Sequence, residues 1–266
     1  MGLQNKLLRA LGRVQCLSGY TLKVIAVVCM VIDHFGKTIW TAVLRFVLDP
    51  MIGAGVLPAS TGTWGFWLYK SIMIPIGAVA FPLFAFALVE GYCHTRNKKR
   101  YALRLSVFVL ISEIPFDLAF FEPFFWHYQN VFVTFLMGLG TMALLEYFEK
   151  LQKPILGRLL QVITIASMCA LAEFVVNGDY GGYGIFLISV LYLLRKNRMY
   201  QLVGMALIPL IVYNPHPTSY FAAIVLIALY NGRRGKSSGK YFFYWFYPAH
   251  ILLLYAGENL VRWLGR

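Results

Sequence analysis

The stretch TLKVIAVVCMVIDHFGKTIW, residues 21–40, reads as a membrane span, yet it carries Lys23 near one end and adjacent Asp33 and His34 near the other. A charged side chain at the centre of a bilayer costs roughly 2.5 to 3.5 kcal/mol on insertion scales, so ionisable groups in spans face a bundle interior, a cavity or a polar partner. The plain structural reading lets Lys23 snorkel to the headgroups and leaves Asp33 and His34 at the opposite interface. The functional reading puts them inside a helical bundle, where intramembrane ionisable groups mark proton, ion or substrate paths.

The composition around this stretch is that of an integral membrane protein. Of 266 residues 59% are hydrophobic and only 13% charged, far from the mix of a soluble domain. The net charge of +13 does not point to nucleic acid, because the basic residues sit in short clusters between apolar runs rather than on a water-soluble face. Cys16, Cys29, Cys93 and Cys169 lack paired metal-ligand spacing, so no structural zinc or disulfide is expected. P-loop, nucleophile-elbow and HExxH patterns are missing, which leaves ATP hydrolysis and zinc hydrolysis without support.

The expected fold is an all-α polytopic bundle of about nine to eleven transmembrane helices, in a single membrane domain over 21–266. It follows an amphipathic cytoplasmic segment, 1–20, whose Leu3, Leu7, Leu11 and Val14 recur at helical spacing among Lys6, Arg9 and Arg13. Apolar runs at 22–40, 71–93, 101–120, 129–148, 156–176, 182–195, 199–213, 217–231 and 241–260 are the candidate spans. Most of the 24 Lys and Arg then fall on one side: Lys6 to Arg13, Arg96 to Arg100, Lys150 to Arg158, Arg195 to Arg198, and Arg233 to Lys240. This bias predicts a cytoplasmic N-terminus and a multi-pass protein of the bacterial cytoplasmic membrane. Residues 41–70 are too polar to read as a span. Zero or two further crossings there keep the assignment; one inverts everything downstream.

Lys23 and His34 are eleven positions apart, so an ideal helix puts them about 20° apart in azimuth and roughly 16 Å apart along its axis. A neutral imidazole can take a proton from an amine or hydroxyl, which makes His34 the candidate base. Asp33 points about 100° away, so the group that orients the His34 ring is expected from another helix. In LRLSVFVLISEIPFDLAF, Glu113 and Asp117 share a helical face across Pro115, and Glu113 is the favoured partner. Their alternative role is hydrogen bonding between helices. Gln129 and Asn130 stand at the entry to a span, suited to a substrate carbonyl or to a helix cap. His250, in the aromatic run KYFFYWFYPAHILLLYAG, is either a substrate contact or a satisfied member of an aromatic girdle.

The segments LKVIAVVCMVIDHFGK, FPLFAFALVEGYCHTRNKKRYALRLSVFVLISEIPFDLAF, NVFVTFLMGLG and LYNGRRGKSSGKYFFYWFYPAHILLLY resemble the TraX family, bacterial membrane proteins named for acetylation of the pilin N-terminus in conjugation. The resemblance covers most of the chain outside 1–20 and 41–70. It implies an acyl-CoA-dependent membrane acyltransferase, related to a wider group that carries a basic residue and a His in its first span with ten residues between. Lys23 and His34 keep that spacing, with Lys where the group usually has Arg, and Lys cannot make a bidentate phosphate clamp.

Two functions of different class follow. In the first, acetyl-CoA is the donor, its phosphates held by Lys23, Arg96, Lys98, Lys99, Arg100, Arg104, Arg233, Arg234 and Lys236. An amine or hydroxyl on a peptide, lipoprotein or glycan is then the acceptor. In the second, a proton-coupled transporter uses Asp33, His34, Glu113 and Asp117 as a relay. That architecture commonly shows repeated pairs of broken helices, and no internal repeat is evident. Neither reading needs a metal or nucleic acid; membrane lipids are the surroundings in both.

Overall fold

A computed structural model describes residues 15–121, 128–211, 217–235 and 241–265. Among them no strand forms beyond two isolated bridges, Leu17 with Tyr230 and Gln129 with Gly178. The secondary structure is otherwise helical, joined by short turns and loops: α1 (19–53), α2 (Ala59–His94), α3 (Lys98–Phe120), α4 (Val131–Glu149), α5 (Pro154–Val176), α6 (Gly181–Leu193), α7 (Arg198–Ile211), α8 (Pro217–Ala228) and α9 (Phe242–Leu264). The amphipathic reading of the N-terminal segment falls largely outside the described residues, as do Lys236, His127 and His216.

α1 opens at Ser18, whose hydroxyl caps the helix by accepting from the Thr21 amide at 3.1 Å. Its backbone is α-helical to Phe35 and then passes through π-helical turns at Gly36–Trp40 and Leu44–Leu48. Threonine chemistry accompanies the first change: Thr38 Oγ1 donates to the His34 carbonyl at 2.6 Å, and Thr41 Oγ1 to the Lys37 and Thr38 carbonyls at 2.8 Å. Hydroxyls that bond back to earlier carbonyls compete with the helical ladder and bend it. At 1.5 Å per residue α1 is about 52 Å long, well beyond a hydrocarbon core of about 30 Å.

α2 returns antiparallel to α1. The Trp40 indole donates to the Gly65 carbonyl at 3.0 Å, and a Cβ on Gly77 would stand only 2.2 Å from Asp33 Cβ, so only glycine permits this approach. Residues 41–70 are therefore the far part of a long helical hairpin. The beginning of α1 and the end of α2 meet again beside Tyr230 and Arg234.

From there the chain alternates end to end, and the basic clusters at 96–100, 195–198 and 233–234 collect at one end. Lys98 and Lys150 pair with Glu146, Arg195 and Lys196 with Glu149, and Arg198 with Glu90. The opposite, far end holds Asp33, Lys37, Gln129, Asn130 and Asp179.

Among the described residues three helices, α2, α4 and α5, are long and apolar enough to cross a membrane; α6 to α8 are apolar but shorter. Large apolar side chains cover the outside: Leu103, Val107, Leu110 and Ile114 form a stripe on α3, and Ile155, Leu159, Val162 and Ile163 another on α5. Such a surface is unfavourable in water and natural in lipid, so this is a membrane protein. Inside, α6 is sheathed by its neighbours, with Ile185, Leu187, Ile188 and Leu191 fully buried. At 13 residues α6 spans about 20 Å.

Candidate functional site

Two cavities lie along α1, one at its beginning and one near its middle. The basic-end cavity, about 610 Å³, is lined by Lys23, Arg96, Arg100, Arg104 and Arg234, with Tyr101, Tyr230 and Tyr244 beside them. Arg100 and Arg104 are one turn apart on α3 and so present a common face. Glu90, also in the wall, is occupied by Arg198 at 3.7 Å and by the Tyr230 hydroxyl at 3.1 Å. The remaining cations can therefore receive an external polyanion.

Not every cation assigned from sequence to this mouth reaches it. Lys98 turns away to Glu146, which also accepts from Tyr92 at 2.6 Å. Lys99 is exposed and lies outside the lining set, and so does Arg233, whose carbonyl accepts from the Gly19 amide at 2.9 Å. Helical geometry explains the division: on α3, position 99 looks about 100° away from 100 and 98 about 200° away.

The far-end cavity, about 520 Å³, is lined by Asp33, Lys37, Glu173 and Asp179 and walled by Phe81, Tyr180, Tyr183 and Tyr220. Lys37 bridges to Asp33 at 2.6 Å, one helical turn apart. Asp179 is open to the cavity. The protein packed around it pushes its carboxyl up to about 6; Lys37 opposes the shift and Asp33 adds to it. Neither Lys37 nor Asp179 was singled out from sequence. The spacing Asp33 to Lys37 was a readable signal, whereas Asp179 comes close only because the loop 177–180 folds over the end of the bundle.

His34 stands beside this cavity on the neighbouring face of α1. Its Nδ1 is 2.8 Å from His250 Nε2, the two rings meet edge to edge with centroids 5.0 Å apart and planes only 5° apart, and His250 Nδ1 lies 2.8 Å from the Phe246 carbonyl. Phe120 and Tyr247 enclose the rest of the ring at 5.1 and 6.2 Å between centroids. His34 Nε2 is 4.0 Å from Asp33 Oδ2, an electrostatic neighbour rather than a hydrogen-bond partner.

The expectation that Glu113 or Asp117 orients His34 is thereby corrected: His250 holds that position. Glu113 instead takes a short hydrogen bond from the Asn130 side chain, which also donates to the Val109 carbonyl at 3.0 Å. Asn130, fully buried, caps α4 by accepting from the Phe132 amide at 3.0 Å, so it is committed to structure rather than to substrate. Gln129 ties its backbone to the 177–179 loop, accepting from the Asp179 amide at 2.9 Å. Asp117 is buried in the same helix as Glu113. His250, expected to touch substrate, touches His34.

No solved structure matches the chain significantly. A curated relative, the probable fimbrial assembly protein FimC, serogroup H1, of Dichelobacter nodosus, is 28% identical over 92% of this chain and 97% of its own. The TraX protein family matches residues 18–256, nearly the whole described bundle with both cavities and both histidines; the chain belongs to the TraX family.

Proposed function

We propose that this protein is a multi-pass acyltransferase of the bacterial cytoplasmic membrane that passes an acetyl group from acetyl-CoA to an amine or hydroxyl acceptor. Its N-terminus and basic end face the cytoplasm, as the placement of Lys and Arg favours. The name of the fimbrial relative favours an acceptor used in pilus or fimbrial assembly. One observation carries the reading: a single helix lines a cationic cavity with Lys23 and, roughly 16 Å further on, lines a second cavity with Asp33 and Lys37 and carries His34 next to Asp33.

The cationic lining fits a polyphosphate donor, with Arg100 and Arg104 able to fork onto phosphate oxygens and Lys23 contributing a point charge. Carried by a phosphate-anchored carrier, the acyl group reaches toward α1's far half as a thioester. His34 takes the acceptor's proton while the acceptor nitrogen or oxygen bonds to the acyl carbon. As the carbon–sulfur bond breaks, His34 returns the proton to the departing thiolate. Asp33, near Nε2, favours the imidazolium that exists between those steps. The aromatic and carboxylate walls of the far-end cavity receive the acceptor.

The test is transfer of labelled acetyl from acetyl-CoA by the purified protein in nanodiscs, to peptides with free and blocked N-termini and to glycans. The His34→Ala variant should remain folded and lose transfer by at least a hundredfold; near-normal turnover would remove His34 from the mechanism. Absence of label on every acceptor, with His34-dependent proton flux in vesicles, would return the protein to the proton-coupled transporters.

A further inference from the structure

We infer that His250 is a positioning residue that fixes the tautomer of His34, so that Nδ1 of His34 carries the proton and Nε2 is the bare, basic nitrogen. A carbonyl oxygen has no hydrogen, so in the contact with Phe246 it is His250 Nδ1 that donates. A neutral His250 then presents an unprotonated Nε2, which can only accept. The 2.8 Å contact between the rings therefore takes its hydrogen from His34 Nδ1. With Nδ1 so used, the lone pair of His34 lies on Nε2, the atom on the Asp33 side.

The chain of bonds also decides where a proton can be added. Protonating His34 at Nε2 leaves both existing hydrogen bonds in place and puts the new N–H toward the Asp33 carboxylate. With the shared hydrogen on His34 Nδ1, a proton added at His250 Nε2 would set two N–H groups against each other across 2.8 Å. The added proton therefore enters the pair at His34 Nε2, and the positive charge reaches His250 only by a shift of the bridging hydrogen along that bond. The charged or titratable groups that meet this pair are Asp33 and Lys37 from α1 and Tyr247 from α9; from α3 the apolar Phe120 ring closes the site. Residue types at 34 and 250 are legible in the sequence, but 216 positions separate them, and only the packing of α9 on α1 makes them a pair.

The tautomer can be read without any assumption about acyl transfer. In ¹⁵N-histidine-labelled protein in nanodiscs above pH 7.5, with resonances assigned by their loss in His34→Ala, His34 should show a protonated Nδ1 and an unprotonated Nε2. His250→Leu should shift His34 toward the opposite tautomer. His250→Gln, whose side-chain oxygen can accept in place of Nε2, should restore the original one. If transfer activity is present, His250→Leu should lower turnover by roughly tenfold or more, with donor affinity unchanged and partial recovery in His250→Gln. A protonated Nε2 on His34 in the native protein, or an unchanged tautomer in a folded His250→Leu, would overturn the inference. A confirmed tautomer in a protein that transfers nothing would instead leave the pairing intact and remove the acyltransferase reading. The native spectrum decides the matter even where the leucine variant fails to fold.

Discussion

Around His34 three neighbours act on a proton in different ways. His250 directs it, Asp33 stabilises the charge it brings, and Lys37 draws on the same carboxylate from one helical turn away, at 2.6 Å. Asp179 adds a third carboxyl to the far-end cavity, and that group, held at about 6 against an ordinary 3.8, makes the site pH-sensitive. Between those two values the folded protein binds a proton that the unfolded chain does not. Asp179 therefore contributes stability that is fully present below about pH 3.8 and is lost as the pH rises through about 6. Asp179→Asn, which stays neutral, should melt at a higher temperature than the native protein at pH 7.5. The gap should close as the pH is lowered to 4; a gap that did not depend on pH would show that folding leaves the Asp179 carboxyl unshifted.

At the scale of the element, α1 matters most, because it joins the two cavities and changes its winding between them. Beyond Phe35 the π-helical turn keeps Gly36 and Trp40 against α2, while Lys37 faces the cavity. A π-turn inserted into an α-helix re-aims the side chains that follow it, and such turns recur at functional sites. The approach of α2 is set by Gly77. In Gly77→Ala the new methyl would meet Asp33, part the helices and disturb the Asp33–Lys37 pair, at an expected cost of about 1–3 kcal/mol. The measurement is thermal unfolding in detergent, with Gly53→Ala as a control, since nothing lies within 4 Å of that position. Equal melting of the two variants would contradict the contact.

In the whole molecule, α1, α2, α3 and the segment after α8 jointly make the basic-end cavity, so its affinity belongs to no single motif. Arg104→Ala should weaken binding of coenzyme A by roughly tenfold or more, the scale of one lost charge-assisted hydrogen bond, whereas Lys99→Ala should leave it unchanged. Calorimetric titration distinguishes the two, and equal effects would mean that bulk charge rather than the cavity wall attracts the ligand. The helical membrane class was readable from long apolar runs, because lipid demands segments that satisfy their own backbone, and from α3 to α9 the helix positions followed within a few residues from where polar clusters interrupt them, whereas the extension of α1 to 53 and of α2 back to Ala59 through a more polar stretch was not readable. His34, Asp33 and Lys23 were readable for a related reason: an ionisable group is conspicuous in an apolar run. Glu113, equally conspicuous, turned out to serve the Asn130 cap, since a buried carboxylate can be retained for helix packing as well as for chemistry. The sequence by itself determined which residues had to be shielded from lipid, through their cost in hydrocarbon. Only the tertiary structure decided with whom they are shielded, because the pairing of His34 with His250 and the approach of Asp179 to the Asp33–Lys37 pair depend on how distant segments pack and in what register.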